Sequence, residues 1–374
     1  MVPMMLLPMS RSAGQGRGGS RGADSNMRAW RAFAGEISGM DRRISALRVI
    51  ACYMVIQLHV SAELFVKPGA GWWAGNVLNS LTRSCVPLFF MIAGATMLAR
   101  DEPLGPFFRK RVLRILPPLL VWSLFYLWWL WHNGGGPANW PLAILQGPTM
   151  FHLWYFYALV GIYAALPIMR KFYIHSSRRD RILFALTWFL VASVVPTAQN
   201  ILFNRHCGGY IGFPRLNDVY HLTFFGGYMG YVVLGAIAAD RPASARAGWA
   251  AFLGGSLATI AGNWWLARQF GSPCEFFMVY FSPFVVLAAW GLFTVAMSLR
   301  EGTPSRWLAV LADCTLGIYG LHVIVIGPVL QRFGWNPLAG NAWLNPLAYA
   351  IAAFAVCFVV IGTLRLAPPL RRVF

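Results

Sequence analysis

The 374-residue chain is 58% apolar and only 11% charged, with 17 tryptophans, which is too apolar for one soluble core and suits many membrane spans. A formal net charge of +19 would invite nucleic acid in a soluble chain, but here lysine and arginine alternate with apolar segments, as topology signals do. The bilayer is therefore the expected partner, and nucleic acid is excluded.

The opening stretch MVPMMLLPMS puts its apolar run before the basic residues, the reverse of a secretory signal, and residues 11–31 are rich in Gly, Ser and Arg. Residues 1–43 are expected to form a disordered basic cytoplasmic tail, partly a misassigned start, with no function of its own. Apolar runs of roughly 18 to 23 residues, long enough to cross ~30 Å of hydrocarbon, then recur. They lie at 44–64, 77–98, 112–132, 151–169, 182–201, 219–239, 248–267, 276–298, 315–332 and 344–364. The expected fold is all-α, a polytopic bundle of about ten transmembrane helices over residues 44–367, followed by a short cytoplasmic stretch at 368–374.

With the N-terminus inside, 23 of the 31 lysines and arginines fall in cytoplasmic segments. Lys67, Arg205, Arg215, Arg268 and Arg332 fall outside, and Arg48, Arg83 and Arg114 lie within spans. That bias predicts both termini in the cytoplasm. The two halves show no internal similarity and no matched pair of broken helices, which argues against an inverted-repeat transporter. The NGGGP stretch at 133–137 has no G-K-[ST] and reads as an external turn. The six cysteines form no C-x-x-C pair and no metal-spaced cluster, so no metal is expected. Cys207 and Cys274 both fall in external segments, and an oxidising compartment would permit a disulfide between them.

A charge at mid-membrane costs about 2.5–3.5 kcal/mol, so the polar residues inside spans mark a bundle interior. In the first span, LRVIACYMVIQLH, Arg48 and His59 are eleven residues apart. At ~100° and 1.5 Å per residue they share one stripe to within ~20° and are ~16 Å apart along it, with Arg48 at the cytosolic end. In the second span, Arg83 sits about two turns below the outer surface, at a depth similar to His59. The third opens with FFRKRVLRILPP, placing Arg111 and Arg114 on one side of a helix start at the inner face. Arg48, Arg111 and Arg114 together suit a phosphate-rich ligand, because guanidinium forks match phosphate oxygens. The bland alternative for the basic cluster is contact with lipid headgroups.

At the outer mouth, His152, Asp218 and His221 are candidates for the acceptor side, and Asp218 or Glu63 for orienting His59. The ninth span carries LGIYGLHV, whose Tyr319 and His322 read as structural hydrogen-bonding groups between helices. Aromatic runs such as FYLWWLWH read as an interfacial belt.

The stretches ISALRVIACYMVIQLH, NVLNSLTRSCVPLFFMIAG, RKRVLRILPP, FHLWYFYALVG, YVVLGAIA and LGIYGLH, in this order between about residues 44 and 330, resemble the membrane-bound acyltransferase-3 family. The branch they resemble is that of bacterial surface-polysaccharide O-acetyltransferases, of the enterobacterial-common-antigen or xanthan-exopolysaccharide kind. The Arg, ten residues, His spacing is the most specific element. The resemblance implies a ten-helix domain that takes acetyl from cytosolic acetyl-CoA and delivers it to a sugar hydroxyl across the membrane, with no permanently bound cofactor. It implies His59 as base, paired with Arg48; Arg111 and Arg114 as the family's R-x-x-R; and Arg83 as the polar residue before VPLFFMI. Departures from the family pattern are Ser45 for Asp, Val49 for Gly, and Ala93-Gly94-Ala95 for Ser-Gly-Tyr. The implied setting is the bacterial inner membrane, with a polyprenyl-linked oligosaccharide or polysaccharide as acceptor and polysaccharide-assembly proteins as partners. The rival class is a transporter of polysaccharide intermediates, against which the lack of midplane carboxylates speaks.

Overall fold

The Asp41 carboxylate accepts from the backbone N–H of Arg43 and caps α1 (Arg42–Val66), which starts two residues inside the expected tail. The computed structural model describes residues 41–204, 207 and 227–374, so the expectations for residues 1–40 fall outside the described residues. Between Ile44 and Val66 neither glycine nor proline interrupts the helix, and Pro68 then forces Lys67 into extended backbone, ending α1 there.

The second crossing is Trp72–Met97, built from α2 (Trp72–Thr82) and α3 (Cys85–Met97). Pro87 explains the break. It has no N–H for the Arg83 carbonyl and its ring crowds that carbonyl, so the chain tightens at Arg83 and Ser84, with the Arg83 N–H bonded to the Ser80 carbonyl. Helix α4 (Leu104–His132) follows, starting eight residues before the expected span; Arg111 and Arg114 lie in its interior and not at a helix start. The surface helix α5 (Trp140–Gln146) and a 3-10 turn (Phe151–Leu153) lead into α6 (Trp154–His175). A Ser177–Asp180 capping box opens α7 (Arg178–Phe189), and the same rod runs on through two π segments and α8 (Val195–Gln199).

Next come α9 (Met229–Asp240), α10 (Ala245–Phe270) and α11 (Pro283–Met297). The chain ends with α12 (Arg306–Ile324), which passes through a π segment at Pro328 into α13 (Leu330–Arg332), then α14 (Leu344–Leu364) and a 3-10 turn (Pro368–Arg372).

The described residues contain no strand, as expected for an all-α bundle. Among the described residues, eight runs are long and apolar enough to cross a membrane. The other two expected spans correspond to α9, whose preceding residues lie outside the described set, and to the 26-residue α10, diluted by glycine and asparagine. Helix α1 sits in the middle, with α2, α3, α11, α12 and α14 packed around it. Cys207 and Cys274 are disulfide-bonded, their Cα atoms 5.0 Å apart, and Cys274 is buried against Leu266, Phe276 and Phe277.

Small residues let backbones touch where lipid offers no hydrophobic drive to association. A Cβ on Gly94 of α3 would lie 1.7 Å from the Val232 carbonyl oxygen of α9. Gly94→Leu is therefore expected to lower the melting temperature of the detergent-solubilised protein by several degrees, as overpacking costs about 1–3 kcal/mol or more. An unchanged melting curve would refute the close approach.

Candidate active site

Helix α12 runs beside α1, and this neighbour turns the Arg48 and His59 stripe inward. His322 of α12 stacks on His59, their ring centres 5.2 Å apart and planes inclined by 28°. Nine residues back on α12, Asp313 lies within electrostatic range of Arg48. Both stripe residues thus face protein, as mid-membrane polar groups must.

His59 is half-buried, between buried His322 and the exposed ring of Phe151, whose centre is 5.3 Å away. His152, on the same 3-10 turn as Phe151, meets His322 edge-on at 5.0 Å. Three imidazoles that the sequence spreads over three segments therefore share one pocket. Around them, the Tyr319 hydroxyl donates to the His152 carbonyl, and Tyr126 donates to the Gly320 carbonyl at 2.8 Å. Gly320 has no side chain because the Trp122 ring fills that space, 2.1 Å from where a Cβ would stand.

The break between α2 and α3 places Arg83 within electrostatic range of His59. Its guanidinium is held from two sides. Nε donates to Asn79 Oδ1 at 2.6 Å, and Nη2 lies 3.4 Å from Met278 Sδ. Asn79 is fully buried, and its Nδ2 donates to the Leu58 carbonyl at 3.2 Å, the residue before His59. Asn79 thereby ties the guanidinium to the helix that carries the imidazole. An asparagine on an apolar helix gives no such sign in the sequence, and it was not among the expected site residues. Asn79→Ala is expected to lower turnover about tenfold with donor KM little changed, since about 1–3 kcal/mol rides on a buried hydrogen bond to a charged group. Turnover within twofold of the parent would remove Asn79 from the site.

At the N-terminal end of α1, half-buried Arg48 and exposed Arg114 lie within electrostatic range of each other and of Tyr155. Neither makes an ion pair with a described residue. Asp313, the carboxylate in range of Arg48, is itself paired with Arg365 at 3.4 Å, and two like charges so placed favour an anion between them. Arg111 belongs to the same group but is partly engaged: its guanidinium covers the Phe107 ring at 4.9 Å and reaches Glu102 at 3.6 Å. The Lys110 hydrogen bond holds the Glu102 carboxyl below the usual carboxylate range. Arg170, buried, donates to the carbonyls of Met97 and Glu102 and braces this corner.

One sequence expectation is corrected. Glu63 does not orient His59: its side chain is exposed and pairs with Lys67 at 3.8 Å, while Leu64 and Phe65 of the same turn are the ones buried. The Nδ1 of His322 donates within its own helix, to the Tyr319 carbonyl at 2.6 Å, and no described residue bonds to its Nε2. Tyr319 does join two helical segments through His152. Asp218 and His221 lie outside the described residues. No group of three or more His, Cys, Asp or Glu arranged for a metal occurs among the described residues.

A family model described as an acyltransferase domain matches residues 41–363, reaching through α14 and so beyond the stretch that carries the sequence resemblance. No curated protein matches the chain, and no solved structure does.

Proposed function

The chain belongs to the acyltransferase-3 family and is a multi-pass membrane acyltransferase, and from that premise we propose that it moves acetyl from cytosolic acetyl-CoA to a sugar hydroxyl of a lipid-linked or growing surface polysaccharide. The observation that carries the reading is the division of α1 between two unlike centres. Unpaired arginines stand at one end, and an imidazole beside a guanidinium stands ~16 Å further along the same face. A thioester donor with a phosphate-rich head and a thin, extended arm has that shape. The phosphates would rest on Arg48 and Arg114, with Arg111 beside them, and the arm would follow the stripe to His59.

His59 then accepts the proton of the sugar hydroxyl as its oxygen bonds to the thioester carbon. The carbonyl electron pair moves onto oxygen, where Arg83 meets it. When the carbonyl re-forms, the carbon–sulfur bond breaks and the proton returns from His59 to the thiolate, leaving a sugar ester and free CoA thiol. No resident cofactor enters. The disulfide of Cys207 and Cys274 supports an oxidising compartment at the outer end, as between the membranes of a bacterium. The positive-inside count supports cytoplasmic termini, which puts the arginine end of α1 where acetyl-CoA is made. Polysaccharide-assembly proteins are the natural neighbours of such an enzyme.

The test is mass analysis of surface polysaccharide from cells with and without the protein, paired with transfer of labelled acetyl from acetyl-CoA in isolated membranes. Loss of acetyl from one sugar, matched by label uptake in vitro, supports the reading. Less surface glycan with its acetylation unchanged, and precursors retained inside the cell, would point instead to export of polysaccharide intermediates.

A further inference from the structure

His322 makes its intrahelical bond with a nitrogen whose state that bond decides. The Tyr319 carbonyl can only accept, so at 2.6 Å the Nδ1 of His322 carries the proton, and Nε2 is left with a lone pair. That Nε2 is buried, and no described residue bonds to it. An acceptor stranded in this way costs about as much as a lost hydrogen bond, so it is kept for a donor that arrives in some state of the protein.

His59 is the donor within reach. With ring centres 5.2 Å apart, an N–H···N bond of about 2.9 Å fits edge to edge between two imidazoles. The His59 ring makes no hydrogen bond to any described residue, so it is free to turn about its own bond to that position. The described titratable or charged groups facing it are His322 from α12, Arg83 from the break between α2 and α3, and His152 from the 3-10 turn before α6. His152 also keeps a buried, unbonded nitrogen, Nδ1, because its Nε2 donates to the Gly320 carbonyl at 3.3 Å, but its ring meets the edge of His322, and the imidazole in contact with His59 is that of His322. Arg83 has no acceptor to offer.

We propose that His322 is the positioning residue of His59: its lone-pair Nε2 accepts one ring N–H of His59, which fixes the His59 tautomer and turns its other nitrogen, as base, toward the acceptor hydroxyl. The assignment rests on the acyl-transfer reading of His59. A base oriented by a third group is the general arrangement of activated sites, with a carbonyl-anchored imidazole here standing where other sites use a carboxylate. When His59 takes the hydroxyl proton, the N–H···N bond becomes charge-assisted and strengthens as the reaction needs it.

The first readout needs no acyl transfer. The full chain, labelled with nitrogen-15 at its 7 histidines and held in lipid nanodiscs, is examined by NMR, with the His59 signals assigned by their loss in His59→Gln. The expected result is one locked His59 tautomer in the parent and an averaged pair of tautomers in His322→Leu. An averaged His59 in the parent overturns the proposal. The second readout is kinetic. His322→Leu lowers kcat about 10- to 100-fold at nearly unchanged donor KM, and His322→Gln, which keeps an acceptor oxygen, recovers most of the loss. A His322→Gln variant no better than His322→Leu, or a loss confined to KM, also overturns it. Should His59→Ala transfer acetyl at the parent rate, the acyl-transfer reading falls while the tautomer spectrum still reports the pairing. Should His59→Ala be inactive and the parent spectrum show no lock, only the pairing falls.

Discussion

Membranes carrying His59→Ala transfer acetyl at least 10²-fold more slowly than the parent, while the variant protein is inserted, extracted and melts as the parent does. The size follows from the role. A positioned base contributes about 10²- to 10⁴-fold, and no neighbour replaces it, because the lone-pair nitrogens of His322 and His152 are buried behind half-buried His59. Folding is spared because His59 is half-buried and makes no hydrogen bond to a described residue, so alanine strands no partner but the lone pair of His322. A scan of labelled acetyl uptake beside a melting curve separates the two effects. Parent-level uptake by His59→Ala would remove the imidazole from the chemistry and with it the proposed mechanism.

Arg48→Leu combined with Arg114→Leu is expected to raise the KM for acetyl-CoA by about 100-fold or more, with kcat changed much less. Each guanidinium lacks an ion-pair partner among the described residues, so each has its donors free for phosphate, and a charge-assisted hydrogen bond contributes about 1.5–3 kcal/mol. The loss appears in KM because the phosphates are bound alike in ground and transition states. Arg241→Gln, just past the end of α9, is the control for general positive charge and should leave KM where it was. The apparent affinity of the parent should also weaken as ionic strength rises, and the double variant should lose that dependence. An unchanged KM in the double variant would mean that the donor enters elsewhere.

These two outcomes rest on features that differ in how openly the sequence displays them. Arg48 and His59 were legible because the α-helical period is a local property: eleven residues return to the same face wherever the helix sits. Their inward placement was legible because hydrocarbon penalises charge, so an arginine retained in an apolar run has to face something polar. Arg83 was visible for the same reason. Its inward presentation was not, since it depends on the break that Pro87 imposes between α2 and α3. Arg111 and Arg114 were visible as a pair, yet only the fold separates them, giving Arg111 to Phe107 and Glu102 while leaving Arg114 without an ion pair among the described residues.

Other features had no sequence signal to find. Asn79 is one of several asparagines in apolar runs, and only the neighbouring carbonyl of Leu58 makes it a bridge. Glu63 follows His59 by one helical turn and looked like its orienting carboxylate, but that turn packs through Leu64 and Phe65 and turns Glu63 outward to Lys67.

What the sequence by itself determined is the set of apolar helices and the polar residues stranded within them, because hydropathy and helical period are properties of the chain alone. What only the tertiary structure decided is which stranded groups meet. His59, His152 and His322 come from segments about 90 and 170 residues apart, and their convergence follows from how α1, α12 and the turn before α6 pack, where backbone carbonyls choose the protonated nitrogen of His152 and of His322.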